Sequence, residues 1–354
     1  MRPARRGGGR RPTIDDVARH AGVSKGAVSL ALNGRPGVSE ATRQRIAQAA
    51  EALGWRPSAR AKALSESRAL AIGLVVAGPR SQLATHPSFA ALLAGVEAEL
   101  ASAGYALVLS VVADAEAEVE TYRRLAHDGR VDGVLITDAR VDDTRYALVA
   151  ELGLEAVVVG HPGPVAGLPA VVADERGAVA RAVRALVDLG HRHIGHVAGP
   201  DTLVHANVRR EAWRDELADA GLPAGPVEHG DFTGEGGAGA TRRLLARSSP
   251  PTAILYANDL MAIAGLRVAR ELKLRVPTDL SIVGFDDVPL AEHVHPPLTT
   301  IRQHPVAAGA AAAKLLLARL RGEPAPATAL PEPELIQRES IGRAPRVAPA
   351  LTRP

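Results

Sequence analysis

The chain contains no cysteine. That excludes disulfides, zinc–thiolate sites and cysteine nucleophiles, and it fits a reducing compartment such as the cytoplasm. Aromatic residues make up only 3% of the sequence, so alanine, valine and leucine must fill the core. No apolar run is long enough to span a membrane. The opening stretch MRPARRGGGRRP is basic but leads into no apolar segment, so a secretory signal is not expected. No Gly-Lys-Ser/Thr follows the glycines at Gly234, Gly236, Gly237 and Gly239, so a phosphate loop is not expected there. No nucleophile–base arrangement stands out. An enzyme is not the reading these residues favour, and neither a cofactor nor a metal is called for.

What is present is 354 residues, 46% of them hydrophobic, enough for two or three domains with sizeable cores. The net charge of +3 hides an asymmetry. Residues 1–68 hold 14 Lys and Arg against 5 Asp and Glu, whereas the remainder holds 28 against 34. A basic head on a mildly acidic body is the electrostatic footprint of a nucleic-acid-binding module.

The head has the signals of three short helices. Thr13 caps the first, with Asp16 at the reciprocal position and Ile14, Val17 and Ala18 on one face. Gly22 ends it, because glycine adopts positive φ freely. Ser24 caps a second helix with Val28 and Leu32 turned inward, and Asn33-Gly34 ends it. Ser39 caps a third, whose apolar side is Ile46, Ala49, Ala50 and Leu53, closed by Gly54. Two helices about a tight glycine turn, backed by a third, make a helix-turn-helix. Lys25, Gly26, Ser29 and Leu30 are expected to be exposed at the end that enters a major groove, with Lys25 donating to guanine or phosphate. After Pro57, Ser58 caps a short hinge segment carrying Arg60, Ala61, Lys62 and Leu64, too short to be a stable helix alone.

Beyond residue 70 the pattern changes to alternating strand and helix signals. LAIGLVVAG, ALVLSVV, GVLIT and AVVVG read as buried parallel strands, and the pattern resumes with HIGHVAG, AILYAN and LSIVGFDD. This predicts an α/β body of two doubly wound parallel-sheet lobes behind an all-α head. Ligands of such sheets bind at the carboxyl ends of strands. Asn258-Asp259, Asp286-Asp287, Gly160-His161 and, after a short strand, Asp231-Phe232 are placed there. Carboxylates, amides and an aromatic wall suit a polyol. The alternatives at these positions are structural: Asn258 or Asp259 as a helix cap, Arg209 as surface charge, Phe89 as core. The histidines of GHRHIGH do not share one strand face, so a metal site there carries little weight.

The head and the ordered body motifs together resemble the LacI/GalR family of bacterial transcriptional repressors. The resemblance begins at TIDDVARHAGVSKGAVSLALNGRPGVSEATRQRIAQAAEALGWRPSARAKAL and continues through RVDGVLI, ALVDLGHRHIGHVAG, PTAILYANDLMAIAGLRVARELKLRVPTDLSIVGFDD and PPLTTIRQ, covering roughly residues 12–342. It implies a homodimer reading a pseudo-palindromic double-stranded DNA operator, and an effector body whose lobes resemble periplasmic sugar-binding proteins. Lys25, Gly26 and Leu30 fall at base-reading positions. Leu64 falls at the leucine that wedges into the minor groove, and Ala61 at the small residue beside it. The DNA-contacting set is then Thr13, Ser24, Lys25, Gly26, Ser29, Leu30 and Asn33, with Arg60, Ala61, Lys62 and Leu64 in the hinge. Gly26 and Leu30 depart from the polar or basic residues frequent in relatives, which shifts specificity onto Lys25, phosphate contacts and the wedge.

The resemblance also places Arg209, Phe232, Asn258, Asp286 and Gln303 at effector-binding positions, with Phe89 at the pocket mouth. His161 joins them from its place at a strand end. Departures at Ser88, Gly160 and Asp174-Glu175 bear on which effector is bound. The organisation implied is a basic disordered tail over 1–11, the helix-turn-helix over 12–57, hinge and linker over 58–69, the effector-binding and dimerisation body over 70–345, and a disordered tail over 346–354. Within the body the N-lobe takes about 70–170 and 303–327, and the C-lobe about 171–300 and 328–342. The effector expected is a small molecule, most simply a sugar, acting as an inducer; a corepressor or a nucleoside is the alternative. The rival class, a transporter's solute-binding protein, would share the body but not residues 13–64. The tail GRAPRVAPALTRP has three prolines and no leucine heptads, so a dimer is expected rather than a tetramer.

Overall fold

The computed structural model describes residues 12–32, 36–55, 68–78, 87–163, 167–324 and 330–346. Asn33, Arg60, Ala61, Lys62 and Leu64, the hinge helix, the N-terminal tail and all but the first residue of the C-terminal tail lie outside the described residues. The chain divides into two compact units, Met1–Arg68 and Ala69–Pro354.

Among its described residues the first unit is all-α. Helices α1 (Ile14–Ala21), α2 (Lys25–Leu32) and α3 (Glu40–Ala52) close on a small core of Val17, Ala18, Val28, Ala31, Ile46, Ala49 and Ala50. Thr13 and Asp16 form a reciprocal capping box, and Gly22 ends α1 in the left-handed conformation at φ 65°. The Gly22 joint sets α2 against α1. Ser24 Oγ accepts from Ala27 N at 3.2 Å, and Ser39 Oγ accepts from Thr42 N at 3.3 Å.

The second unit carries two parallel sheets. The first runs in the order β2-β1-β3-β4-β5, built from β1 (Ala71–Ala77), β2 (Ala106–Val112), β3 (Gly133–Ile136), β4 (Glu155–Val159) and β5 (Ala170–Val171). The second runs β7-β6-β8-β9, from β6 (Ile194–Ala198), β7 (Val227–His229), β8 (Ala253–Tyr256) and β9 (Ser281–Val283). Helices cover both faces of each sheet, so the central strands β1, β3 and β8 are apolar throughout, whereas the edge strand β7, Val-Glu-His, is not. Residues of alternate parity go to opposite faces: Ile72, Leu74 and Val76 pack with α4 (Pro87–Ser102) and α11 (Pro305–Leu320), whereas Ala71 and Val75 pack with α5 (Ala115–His127) and α6 (Arg145–Glu151). The second sheet is flanked likewise by α7 (Glu175–Asp188) and α8 (Val204–Asp219) on one face. On the other lie α9 (Gly234–Leu245) and α10 (Asp259–Glu271).

The chain does not stay in one lobe. It leaves the first sheet after β5. It returns as α11, which packs against α4 closely enough that a Cβ on Gly95 would lie 2.0 Å from Val306 O and one on Gly309 2.2 Å from Leu92 O. A two-stranded antiparallel ribbon, β10 (Thr300–Arg302) with β11 (Glu334–Ile336), precedes and follows that excursion. Parallel bridges Val283↔Thr299 and Asp286↔Arg302 tie the ribbon to the second sheet. The glycine-rich stretch at 234–239 is not a loop but the start of α9. Among its glycines Gly237 is required by packing, since a Cβ there would lie 2.5 Å from Met261 Cα.

Candidate functional site

In the head, Ser24, Lys25 and Gly26 are exposed at the start of α2, but Ser29 and Leu30 are half-buried rather than exposed. The reason is the short helix and the chain after it: Leu30 Cδ1 lies 3.4 Å from where a Cβ on Gly37 would sit. Lys25 Nζ pairs with Asp15 at 3.3 Å, both side chains being exposed. Such a pair contributes little and opens readily to a phosphate or base. Thr13 sits at the α1 cap, accepting from Asp16 N and donating to Asp16 Oδ2 at 2.7 Å.

The body holds a cleft of about 1400 Å³ between the carboxyl ends of the two sheets. Phe89, His161, Arg209, Phe232, Asn258, Asp286 and Gln303 all line it. The lobes meet beside the cleft through main chain: Val141 N donates to Thr202 O and Val204 N to Ala139 O, both at 2.9 Å, around an antiparallel bridge Arg140↔Leu203.

Arg209 is not a surface charge. It is buried on α8, donates to both oxygens of Glu175 at 2.9 and 3.0 Å and to Ala257 O at 2.7 Å, and stacks 3.8 Å over the Phe285 ring. Burial alone would raise the Glu175 carboxyl, but the adjacent guanidinium holds it below the usual carboxylate range. Asn258 does cap a helix: Oδ1 accepts from Met261 N at 3.0 Å, while Nδ2 donates to Phe232 O at 3.0 Å. The same amide therefore starts α10 and holds the Phe232 backbone at φ 65°. The Phe232 ring stacks on His205 with centroids 5.3 Å apart, and Gly199 is needed beneath it, because a Cβ there would lie 2.2 Å from Phe232 Cζ. Asp286, at φ 123°, accepts from Gln303 Nε2 at 2.9 Å. Positive φ at the non-glycine residues Phe232 and Asp286 is a strain that surrounding contacts must hold in place, as is common at ligand sites. Phe89 is half-buried against the first lobe's core and still reaches the cleft. His161 is exposed at the rim, its Nδ1 accepting from Gly163 N at 3.1 Å.

Three further features take roles that the sequence did not assign. Glu175 is the ion-pair partner of Arg209. The rim residues Asp138 and Asp142 both have positive φ, at 49° and 54°. Asp287 is held by Arg302 and Arg338, each at 2.7 Å. Glu175 and Asp287 each had a local signal, in the pairs Asp174-Glu175 and Asp286-Asp287; Asp138 and Asp142 had none.

The GHRHIGH histidines are structural. His191 bonds Thr252, Ser281 and Gly342 O; His193 bonds Pro250 O; His196 is buried, bonds Leu255 O and stacks on Trp213. Burial pushes the His196 imidazole down to about 3, which keeps it neutral. Among the described residues no group of His, Asp and Glu has a metal-binding arrangement, and no helix is long and apolar enough to cross a membrane.

Asp259, beside the site, yields a pH prediction. It is fully buried, accepting from Val288 N at 2.9 Å and from Thr300 Oγ1 at 2.5 Å. Burial, reinforced by the Asp286 carboxylate, pushes its carboxyl up from 3.8 to about 8. An acid with a raised folded pKa stabilises the fold fully below its unfolded value and loses that contribution as pH rises through its folded value. The urea midpoint of the wild type should therefore carry a component that declines between pH 4 and about 8. Asp259→Asn should remove it. An identical pH slope in the variant would mean that another group is responsible.

A helix-turn-helix unit joined to a two-lobed α/β body with a polar cleft defines a ligand-responsive DNA-binding regulator. Residues 13–58 match the model of bacterial regulatory proteins of the lacI family, and residues 183–341 match a periplasmic binding protein-like domain. The HTH-type transcriptional regulator CelR of Thermobifida fusca is 36% identical over 94% of this chain and 98% of its own. A solved structure of a CelR–cellobiose complex superimposes with a TM-score of 0.72 at 35% identity, covering 93% of this chain and all of that one. The Lac repressor dimer bound to operator and an anti-inducer superimposes with a TM-score of 0.80 at 28% identity, covering 94% of this chain and all of that one. The chain belongs to the LacI family of transcriptional regulators.

Proposed function

We propose that this regulator acts in the cytoplasm as a homodimeric repressor, not as an enzyme, and that a sugar bound between the lobes lowers its affinity for a pseudo-palindromic operator. The observation that carries the sugar reading is the cleft: a buried guanidinium, a carboxamide and a carboxylate converge with two aromatic walls, one from each lobe. Hydroxyl groups exchange hydrogen bonds with Arg209, Asn258, Asp286 and Gln303, and the rings of Phe232 and Phe89 cover the C–H faces of the sugar. The complex of cellobiose with the relative CelR supports the same reading. In the head, Lys25, Gly26 and Leu30 serve as base-reading positions, Thr13, Ser24, Ser29 and Asn33 support the backbone contacts, and Leu64 with Ala61 forms the minor-groove wedge flanked by Arg60 and Lys62.

A ligand that touches both lobes favours one lobe arrangement over another, and operator affinity follows by linkage. Couplings of this kind are about 1–3 kcal/mol, or 5–150-fold in affinity. Operator titrations with and without a panel of sugars test the proposal; a complete lack of response to every sugar would sink it. Asp286→Ala should abolish the response and leave effector-free operator affinity nearly unchanged. A variant that responds like wild type would remove Asp286 from the site.

A further inference from the structure

Resting on the reading of the cleft as a sugar site, we propose that its ligand is an uncharged sugar of at least two rings and that phosphorylated sugars are rejected. The first ground is the charge of the walls. Among the described residues, eight Asp and Glu line the cleft against four arginines. Counting the lining histidines His161 and His205 as cations still leaves carboxylates in excess.

Each of the four arginines already holds a carboxylate. Arg209 is engaged on two nitrogens by Glu175. Arg140 pairs with Glu118 at 2.6 Å, Arg176 with Asp215 at 2.7 Å, and Arg210 with Asp201. Guanidinium and ammonium groups able to take its charge are the strongest side-chain partners of a phosphate. At the buried Arg209–Glu175 pair it would have to displace the carboxylate; the exposed pairs Arg176–Asp215 and Arg210–Asp201 open more readily, but each displaced carboxylate would remain beside the phosphate. Arg209 is the deepest case. Its pair with Glu175 is buried, so its remaining role toward a ligand is that of a hydrogen-bond donor within a neutral pair. That chemistry suits hydroxyl groups.

The second ground is size. Small-molecule sites typically span about 300–1,000 Å³ and bury most of the ligand. A cleft of about 1400 Å³ exceeds that range, and a single hexose would leave much of it to water. The apolar walls are also two, Phe89 on α4 in one lobe and Phe232 ahead of α9 in the other. One ring against each wall, linked through a glycosidic bond, uses both. A sugar read in this form is sensed before any kinase acts on it, so the reaction that removes the signal is hydrolysis or phosphorylation of the free oligosaccharide.

Calorimetric titration of the full-length protein decides the matter. The probes are α- and β-linked disaccharides, the same disaccharides as 6-phosphates, and glucose with glucose 6-phosphate. The expected result is that at least one uncharged disaccharide binds, with its 6-phosphate and glucose each weaker by about tenfold or more. Equal or tighter binding of the 6-phosphate overturns the charge inference while leaving the sugar reading intact. Glucose binding as tightly as every disaccharide overturns the two-ring inference alone. No binding by any member of the panel overturns the sugar reading and this inference with it. Glu175→Gln provides a second measurement: by uncovering the Arg209 charge it should narrow the gap between a disaccharide and its phosphate. An unchanged gap in a folded variant would mean that Glu175 is not what excludes the anion.

Discussion

Residues 69–354, produced without residues 1–68, are expected to lose operator binding by three orders of magnitude or more while keeping the ligand affinity of the cleft. Specific protein–DNA affinity commonly exceeds non-specific affinity by about 10³–10⁷. Both the helix proposed to read bases and the excess of basic charge lie in the removed unit. The chain divides into two compact units between residues 68 and 69, so the cut falls at the boundary between them. The remainder carries 28 basic and 34 acidic residues, a balance that repels a polyanion. Gel-shift or anisotropy titrations on one operator fragment measure the loss. The intact protein should also weaken steeply with salt, because each phosphate contact releases a counterion. A truncated body that binds the operator as the intact chain does would overturn the assignment of DNA recognition to the head.

Replacing Arg145 by leucine should cost about 3–5 kcal/mol of stability, because it leaves the buried Asp143 carboxylate without its guanidinium and Glu118 with Arg140 alone. Arg145 is 3% exposed at its side chain and holds Asp143 through two nitrogens at 2.8 and 2.6 Å, Glu118 at 3.2 Å and Asp138 O at 3.0 Å. Glu118, itself buried, is shared with Arg140. This network organises the turn over 138–143. The turn carries the rim residues Asp138 and Asp142 in their positive-φ conformations and the segment that bridges to Leu203 of the other lobe. The substitution should therefore lower ligand affinity as well as stability. Arg145→Lys should fall between the two, since an ammonium keeps the charge but not the forked geometry. Urea unfolding followed by circular dichroism measures the cost. A loss below about 1 kcal/mol for the leucine variant would mean that the carboxylates find other partners.

The head and the two sheets were legible because their signals are local. Thr13 with Asp16, Gly22, Ser24 and Ser39 are caps and stops acting within a few residues of themselves. The runs around Ile72, Val134, Val157, Ile254 and Ile282 are apolar without alternation because helices cover both faces of their sheets. Short strands such as Ala170–Val171 carry no such run, and the helix at Gly234 was hidden by glycines that ordinarily disfavour one.

The sequence by itself therefore determined the kinds of element and their order, the basic head, and the strand ends at which Asn258, Asp286 and Phe232 would lie. Only the tertiary structure decided what those residues do there. Glu175 reaches Arg209 across 34 positions of sequence, and Arg145 reaches Glu118 across 27. Gly95 is required because α11, more than 200 residues later, returns to lie against it. The physical reason is that periodicity and capping depend on neighbours along the chain, whereas ion pairing, backbone strain and close helix contact depend on which distant segments the two sheets bring together.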